Sequence, residues 1–344
     1  MVRRECGGDT LSSDPSMEIS PETIVKSSAL FLFFALAGIG AVTAQTYPAK
    51  PVRVVVPFPG GGLNDVIARI LTQKLGENLG VTFVIDNRPG AGGTIGTNIV
   101  AKAAPDGYTL LFSSSSTIAV SPSMYSKLPY DPVKDFSAIA NVASVGSALV
   151  VNPALPIKSV KDLIAYAKAH PAQLKFGSAG VGASQHLAAE LFKTMAGVDM
   201  VHIPYKGGTL ALADVIGGQI SLTFEPLPTS IAHIRSGRVR ALAVTTPKRS
   251  PVIPELPTVA ESGLPGYDLT IWVGMLAPAR TPKEIVQRLS VAILKILHSP
   301  EMIERLAGQG AEPIGDTPEH FAAYIKEEIV RWAVIVKASG ARAD

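Results

Sequence analysis

Ser184 and His186, in "FGSAGVGASQHLAAELF" (176–192), are the residue types of a nucleophile and its general base. Two positions apart at a helix start, they do not face one another. No G-x-S-x-G elbow occurs in the chain, and neither H-E-x-x-H nor a comparable metal spacing is present. The six histidines are dispersed, and alone His186 reads as a packing or capping residue. The single cysteine, Cys6, precedes an apolar leader-like run, so no disulfide or Cys-based metal site is expected in the folded part. These residues predict no catalytic group, no metal and no cofactor.

A different chemistry is written in the glycines. "VVVPFPGGGLNDVIARIL" (54–71) reads as strand, glycine loop and helix, a layout that offers backbone N–H groups to an anion. It lacks the Lys of a P-loop and the spacing of a dinucleotide fingerprint. The same layout recurs in "NRPGAGGTIGTNIVAKA" (87–103) and in 176–192, where Ser178 and Ser184 add hydroxyls. It recurs again in "VHIPYKGGTLALADVIGGQ" (201–219), with Tyr205, Lys206 and Gly207, while "SSSST" (113–117) places Ser114 and Ser115 after another apolar run. Each loop alone fits a tight turn as well as a ligand. In open α/β sheets, however, ligands bind beyond the carboxyl ends of strands, so loops converging there predict a small-molecule site.

The elements that must position these loops alternate along the chain. β-branched runs at "VRVVVPF", "TFVID", "YTLLFSS", "SALVVN", "LKFGSA", "MVHIPY", "ISLTFE", "VRALAVT" and "LTIWVGML" read as strands. Helical periodicity covers Asn64–Leu79, Thr94–Ala103, Val160–Ala169, Ser184–Ala196, Leu210–Gly217, Pro282–His298, Pro300–Ala307 and Pro318–Lys337. The alternation predicts an α/β fold with mainly parallel sheets flanked by helices. "SALVVNPALP" (147–156) and "VRALAVTTPKRSPVIPELP" (239–257) run from strands into prolines and read as crossings between two lobes. The expected division is 45–148 plus 247–344 for lobe 1 and 149–246 for lobe 2, with two crossover strands as hinge.

Ala29–Ala44, "ALFLFFALAGIGAVTA", is uncharged, follows Lys26 and ends in small residues. It reads as a signal peptide cut after Ala44, shorter than the roughly 18 apolar residues of a span. Residues 1–44 are then an N-terminal extension plus signal peptide, and the folded part is exported. The formal net charge is +3, and Lys and Arg are scattered, which argues against a nucleic-acid partner.

Nine motifs in order, among them "YPAKPVRVVVPFPGGGLNDVIARIL", "VIDNRPGAGGTIGT", "DGYTLLFSSSST", "KFGSAGVGASQHLAAELFK" and "PTVAESGLPGYDLTIW", resemble the Bug-type periplasmic solute receptors. These are the substrate-binding proteins of tripartite tricarboxylate transporters. The resemblance runs from about Tyr47 to the end. It implies a two-lobed periplasmic binding protein of the second type, a monomer without catalysis, that captures a small carboxylate (a di- or tricarboxylate, an acidic amino acid or an aromatic acid). Its implied partners are that ligand and the transporter's membrane subunits; an orphan receptor for a sensor kinase, or an enzyme acting on a small acid, are the alternatives. Carried over by motif, the first loop supplies Phe58, Pro59, Gly60, Gly61 and Asp65. The mid-lobe loop supplies Ser178, Ala179, Gly180, Ser184 and His186, with the Tyr205 to Gly208 turn, Tyr205 and Gly207 foremost, as a further wall. The chain departs from the family pattern at Gly60, where a proline is usual, at Arg280, and at "FEPLPTS" (224–230), where Glu225 follows the phenylalanine.

Overall fold

Strand β1 (Val52–Val56) is an unbroken valine-rich run, and Val54, Val55 and Val56 are all fully buried. Such runs arise where a strand is covered on both faces, and each buried valine contributes roughly 1.5–3 kcal/mol relative to exposure. The structure is a computed structural model that describes residues 47–339 and 341–343. The expected signal peptide, residues 1–44, lies outside the described residues.

After β1 come α1 (Leu63–Leu79), β2 (Phe83–Asn87), α2 (Thr94–Ala101), β3 (Thr109–Ser114), the short α3 (Ser121–Met124) and β4 (Phe136–Val145). Then follow β5 (Ser147–Val151), α4 (Val160–Ala169), β6 (Lys175–Ser178), α5 (Ser184–Ala196), β7 (Val201–Pro204), α6 (Gly208–Ile216), β8 (Leu222–Pro226), α7 (Leu227–Arg235) and β9 (Arg240–Val244). The chain closes with β10 (Ile271–Pro278), α8 (Lys283–Leu297), α9 (Pro300–Ala307), β11 (Ala311–Pro313) and α10 (Pro318–Ser339).

The strands form two sheets, ordered β11-β4-β10-β3-β1-β2 and β7-β6-β8-β5-β9. Both are mixed, where the sequence pattern predicts mainly parallel pairing. β1 runs parallel to β2 and β3, and β6 parallel to β7 and β8, as helical crossovers require. The antiparallel pairs are β5 against β8 and β9, β10 against β3 and β4, and the edge strand β11 against β4.

The chain passes from the first sheet to the second at one residue, Gly146, between β4 and β5. Alongside it lies the return segment: Ser147 N–H donates to Thr245 Oγ1 at 3.0 Å, and Thr245 N–H donates to Ser147 O at 2.9 Å. The Thr245 hydroxyl in turn donates to Leu269 O at 2.8 Å. A Cβ on Gly146 would stand 2.7 Å from Thr246 Cγ2, so the two passages pack too closely for a side chain there. Two hydrogen-bonded passages side by side are the mechanical minimum of a hinge.

The long α10 packs on β4 of the first sheet and on α5, the helix that packs on β8 of the second. Its buried Glu328 carboxylate accepts hydrogen bonds from Trp272 Nε1 (3.1 Å) and Trp332 Nε1 (2.9 Å). Among the described residues no helix is long and apolar enough to cross a membrane.

Candidate functional site

Four helix N-termini meet at one small cavity. Its lining includes Gly62, Ala183, Gly207 and Pro226, the residues that immediately precede α1, α5, α6 and α7. None of these four helices has a side-chain cap, whereas Ser159 caps α4 and Ser299 caps α9. The first amides of a helix have no intrahelical acceptor, and together they carry about half a positive charge per helix. Leaving them uncapped around a cavity makes it a receptacle for a negative group.

The cavity holds about 40 Å³, room for a few water-sized groups at this spacing. One wall comes from the first sheet, with Phe58, Pro59, Asn64, Ser114 and Ser116; the facing wall comes from the second, with Ala179, Ser184, Gln185, Gly208, Thr209 and Glu225. The walls touch on either side. The three atoms nearest a Cβ on Gly207 all belong to Pro59, the closest at 2.7 Å. A Cβ on Gly92, whose φ is +63°, would stand 2.9 Å from Val181 O. A broader groove of about 720 Å³ runs past Lys50, Arg69, Gly76 and Phe83, but it is open to solvent and desolvates a ligand little.

The charge inside the cavity is unusual. Glu225 is 1% exposed and is the lone ionisable side chain of the lining. Its Oε1 accepts from Thr229 Oγ1 at 2.6 Å, and its Oε2 accepts a long bond from Gln185 Nε2 at 3.4 Å. Burial pushes its carboxyl up to about 7, against the pull of those two donors. Asn64 is also buried, and its Oδ1 has no hydrogen-bond partner.

Residues 67–341 match the model of the tripartite tricarboxylate transporter family receptor. The chain belongs to that family. It is 42% identical to Protein BugT of Bordetella pertussis over 313 residues, covering 90% of this chain and 96% of that protein. Among solved structures it resembles R. palustris Rpa4515 with adipate (40% identity, TM-score 0.84, covering 86% of this chain and 99% of that one). It also resembles MatC (Rpa3494) from Rhodopseudomonas palustris with bound malate (33% identity, TM-score 0.80, 84% and 100% covered). The two-sheet fold is therefore that of a periplasmic solute-binding receptor.

Of the site residues expected from the sequence, Phe58, Pro59, Ser114, Ala179, Ser184 and Gly207 line the cavity of this receptor. Gly60, Gly61, Asp65, Ser115, Ser178, Gly180, His186 and Tyr205 stand outside the lining. Several of these frame the loops. Asp65 Oδ2 accepts from Gly61 N–H (2.9 Å) and Arg69 Nε (2.9 Å), and Oδ1 accepts from Asn87 Nδ2 (3.0 Å). Burial raises the Asp65 carboxyl, but these bonds outweigh it and hold it below its usual range, so it stays ionised as the anchor of the first loop. The Tyr205 hydroxyl is spent on Asp214 Oδ2 at 2.6 Å. Gly60 is exposed, and its Cβ direction is clear to 3.8 Å. Gly60→Ala is therefore expected to leave ligand affinity within about twofold, as titration calorimetry would read.

The mid-lobe loop rests on stacked rings. His186 and His202 lie 4.1 Å apart between centroids, and Phe176 stacks on His202 at 4.8 Å. Gly182 N–H donates to His186 Nδ1 at 3.2 Å, which leaves the ring proton on Nε2. Ser178 Oγ donates to Gly180 O (2.9 Å) and lies 2.7 Å from His202 Nε2. Glu190 is 3.9 Å from His186 Nε2, but it pairs with Lys193 at 3.1 Å. Burial first, then the His202 and Lys193 charges, holds His186 down to about 3; burial and Lys193 hold His202 down to about 4. Both rings are neutral in the fold but take up protons in the unfolded chain below pH 6.5. Their contribution is thus complete above pH 6.5 and is lost as pH falls, toward 4 for His202 and toward 3 for His186. His186 alone is expected to remove about 2 kcal/mol by pH 5, with a smaller loss from the more solvated His202. Urea midpoints taken from pH 7 to pH 5 would fall, and less steeply in His186→Gln.

Sequence reasoning passed over Asn64, Gln185 and Thr209 as lining residues, while Gly208 fell within the turn expected as a further wall. Gln185 stood out solely for breaking a nucleotide fingerprint. Glu225 carried a signal, since it departs from the family pattern.

Proposed function

We propose that this protein is the periplasmic receptor of a tripartite tricarboxylate-type transporter, that it captures a small carboxylate, and that it performs no catalysis. The observation that carries this is the convergence of four uncapped helix N-termini on one cavity without a basic side chain in its lining. Backbone amides and hydroxyls such as Ser184 give charge-assisted hydrogen bonds that offset desolvation of a carboxylate. The adipate and malate of the related structures belong to this ligand class.

The hinge reading completes the mechanism. Lobe 1 is taken as 45–148 with 247–344 and lobe 2 as 149–246; the paired passages by Gly146 and Thr245 lie within two residues of both boundaries and support the division. At the observed spacing the cavity is smaller than a dicarboxylate, so capture includes parting the jaws and closing them on the acid. Residues 1–44 direct export, and the closed receptor is what the membrane subunits read.

A thermal-shift screen of carboxylic acids tests the reading. A true ligand at a hundredfold excess over Kd stabilises by about 2.7 kcal/mol. For about 300 folded residues that is a rise of roughly 4 °C. Stabilisation by a neutral sugar or a metal ion, with no response to any acid, would sink the proposal.

A further inference from the structure

Glu225 has a geometry that carboxylate capture alone does not require. Its carboxylate is fully buried in the wall of the cavity, and among the described residues no Lys, Arg or His stands within ion-pair distance of it. Its two protein partners, Thr229 Oγ1 and Gln185 Nε2, are both donors, a setting matched to the ionised, acceptor form. Two donors leave part of its accepting capacity unused, on the Oε2 side, where the Gln185 bond is long at 3.4 Å. A second acceptor, Asn64 Oδ1, lines the same cavity without a partner. A buried charge without a counter-charge is strongly disfavoured. The missing partner is a group that is both positive and rich in N–H donors.

We propose that Glu225 is a specificity-determining residue and that the ligand carries an ammonium group, received by Glu225 with Asn64, in addition to the carboxylate held at the helix N-termini. The ligand class is then an aminocarboxylate. This rests on the carboxylate reading above and narrows it. A plain dicarboxylate would bring a second negative group to a wall where burial already resists ionisation of the Glu225 carboxyl, whereas an ammonium group stabilises its ionised form. The geometry discriminates by repulsion as well as by pairing. Gly208 supports the assignment: a Cβ there would stand 2.4 Å from Gln185 Nε2 and 3.0 Å from Glu225 Oε2, so the bare glycine keeps this polar corner open.

The test is titration calorimetry of the folded receptor with matched acids: succinate against 4-aminobutanoate, glutarate against 5-aminopentanoate and adipate against 6-aminohexanoate, with aspartate and glutamate as α-amino forms. The wild type is expected to bind its preferred aminocarboxylate at least tenfold more tightly than any of the dicarboxylates. Glu225→Gln is expected to lose at least tenfold for the aminocarboxylate and to hold or gain affinity for the dicarboxylates. Tighter binding of a dicarboxylate by the wild type overturns the Glu225 assignment and leaves the carboxylate reading standing. Equal losses for both classes in Glu225→Gln also overturn it. Binding of neither class overturns both. The wild-type comparison requires no variant, so the assignment remains exposed to failure if Glu225→Gln does not fold.

Discussion

Gly207→Val is expected to weaken ligand binding by roughly 5–150-fold while leaving the melting temperature of the ligand-free protein almost unchanged. Gly207 has a φ of 177°, extended backbone that any residue adopts, so the substitution brings no local strain. What a side chain meets is across the cleft. The three nearest atoms to a Cβ there are all Pro59 atoms, at 2.7, 3.2 and 3.5 Å. Forced overlap of this kind costs about 1–3 kcal/mol, which falls on the closed state and sets the range above. An unliganded protein relieves it by opening. Calorimetric affinity beside a thermal melt separates the two states. A Gly207→Val protein that binds as the wild type would show that closure does not bring Pro59 onto Gly207. Pro59→Gly combined with Gly207→Val should recover most of the lost affinity.

Glu328→Ala should destabilise the fold by about 3–5 kcal/mol, the largest effect expected of any single substitution considered. The carboxylate is 3% exposed and accepts from two buried indoles, Trp272 and Trp332. Arg331 Nη1 also donates to it at 3.1 Å, and Arg331 reaches Asp268 at 3.3 Å. Alanine leaves two indole N–H groups buried without an acceptor, each worth about 1–3 kcal/mol, and removes one of the two carboxylates that Arg331 pairs with. Trp272 sits in β10, the third strand of the first sheet, so the damage reaches the scaffold of the cleft. Chemical denaturation would read the loss directly. Glu328→Gln keeps one oxygen acceptor for the indoles and should lose less than half as much; equal losses would show that the negative charge, rather than the acceptor geometry, is what counts.

Much of the scaffold is readable from residue order, for identifiable reasons. Val160–Ala169 and Ser184–Ala196 match helices because their apolar residues recur at helical spacing and because Gly197 ends the second in the left-handed region. β4 is hidden, although it is ten residues long, because "FSAIANVASV" is built of small residues with neither alternation nor a β-branched run. α7 is hidden by "LPTSIAHIR", whose proline, threonine and serine read as a loop; in the fold the proline occupies the first turn, where its missing N–H does no harm.

The site divides along a similar line. Loops after strands are visible as glycines, so the neighbourhood of the cavity is legible. Which side chains face the cavity is not, since that depends on pairs far apart in the chain. Asp65 looks like a ligand group until Asn87 and Arg69 are seen to occupy it. Ser178 looks free until His202 is found 24 positions on. Gln185 looks incidental until it meets Glu225 from another strand's end.

The four uncapped helix starts bear on how such a receptor diversifies. The proposed grip on the carboxylate lies in main-chain amides, which every residue except proline possesses. Substitution of wall side chains such as Asn64, Gln185 or Glu225 therefore leaves those amides in place while it rewrites the remainder of the surface. Recognition of the acid head group and choice among acids are inherited separately. A lineage of these genes can drift from one nutrient to another through single changes at positions such as Asn64, Gln185 or Glu225 without passing through a form that binds nothing.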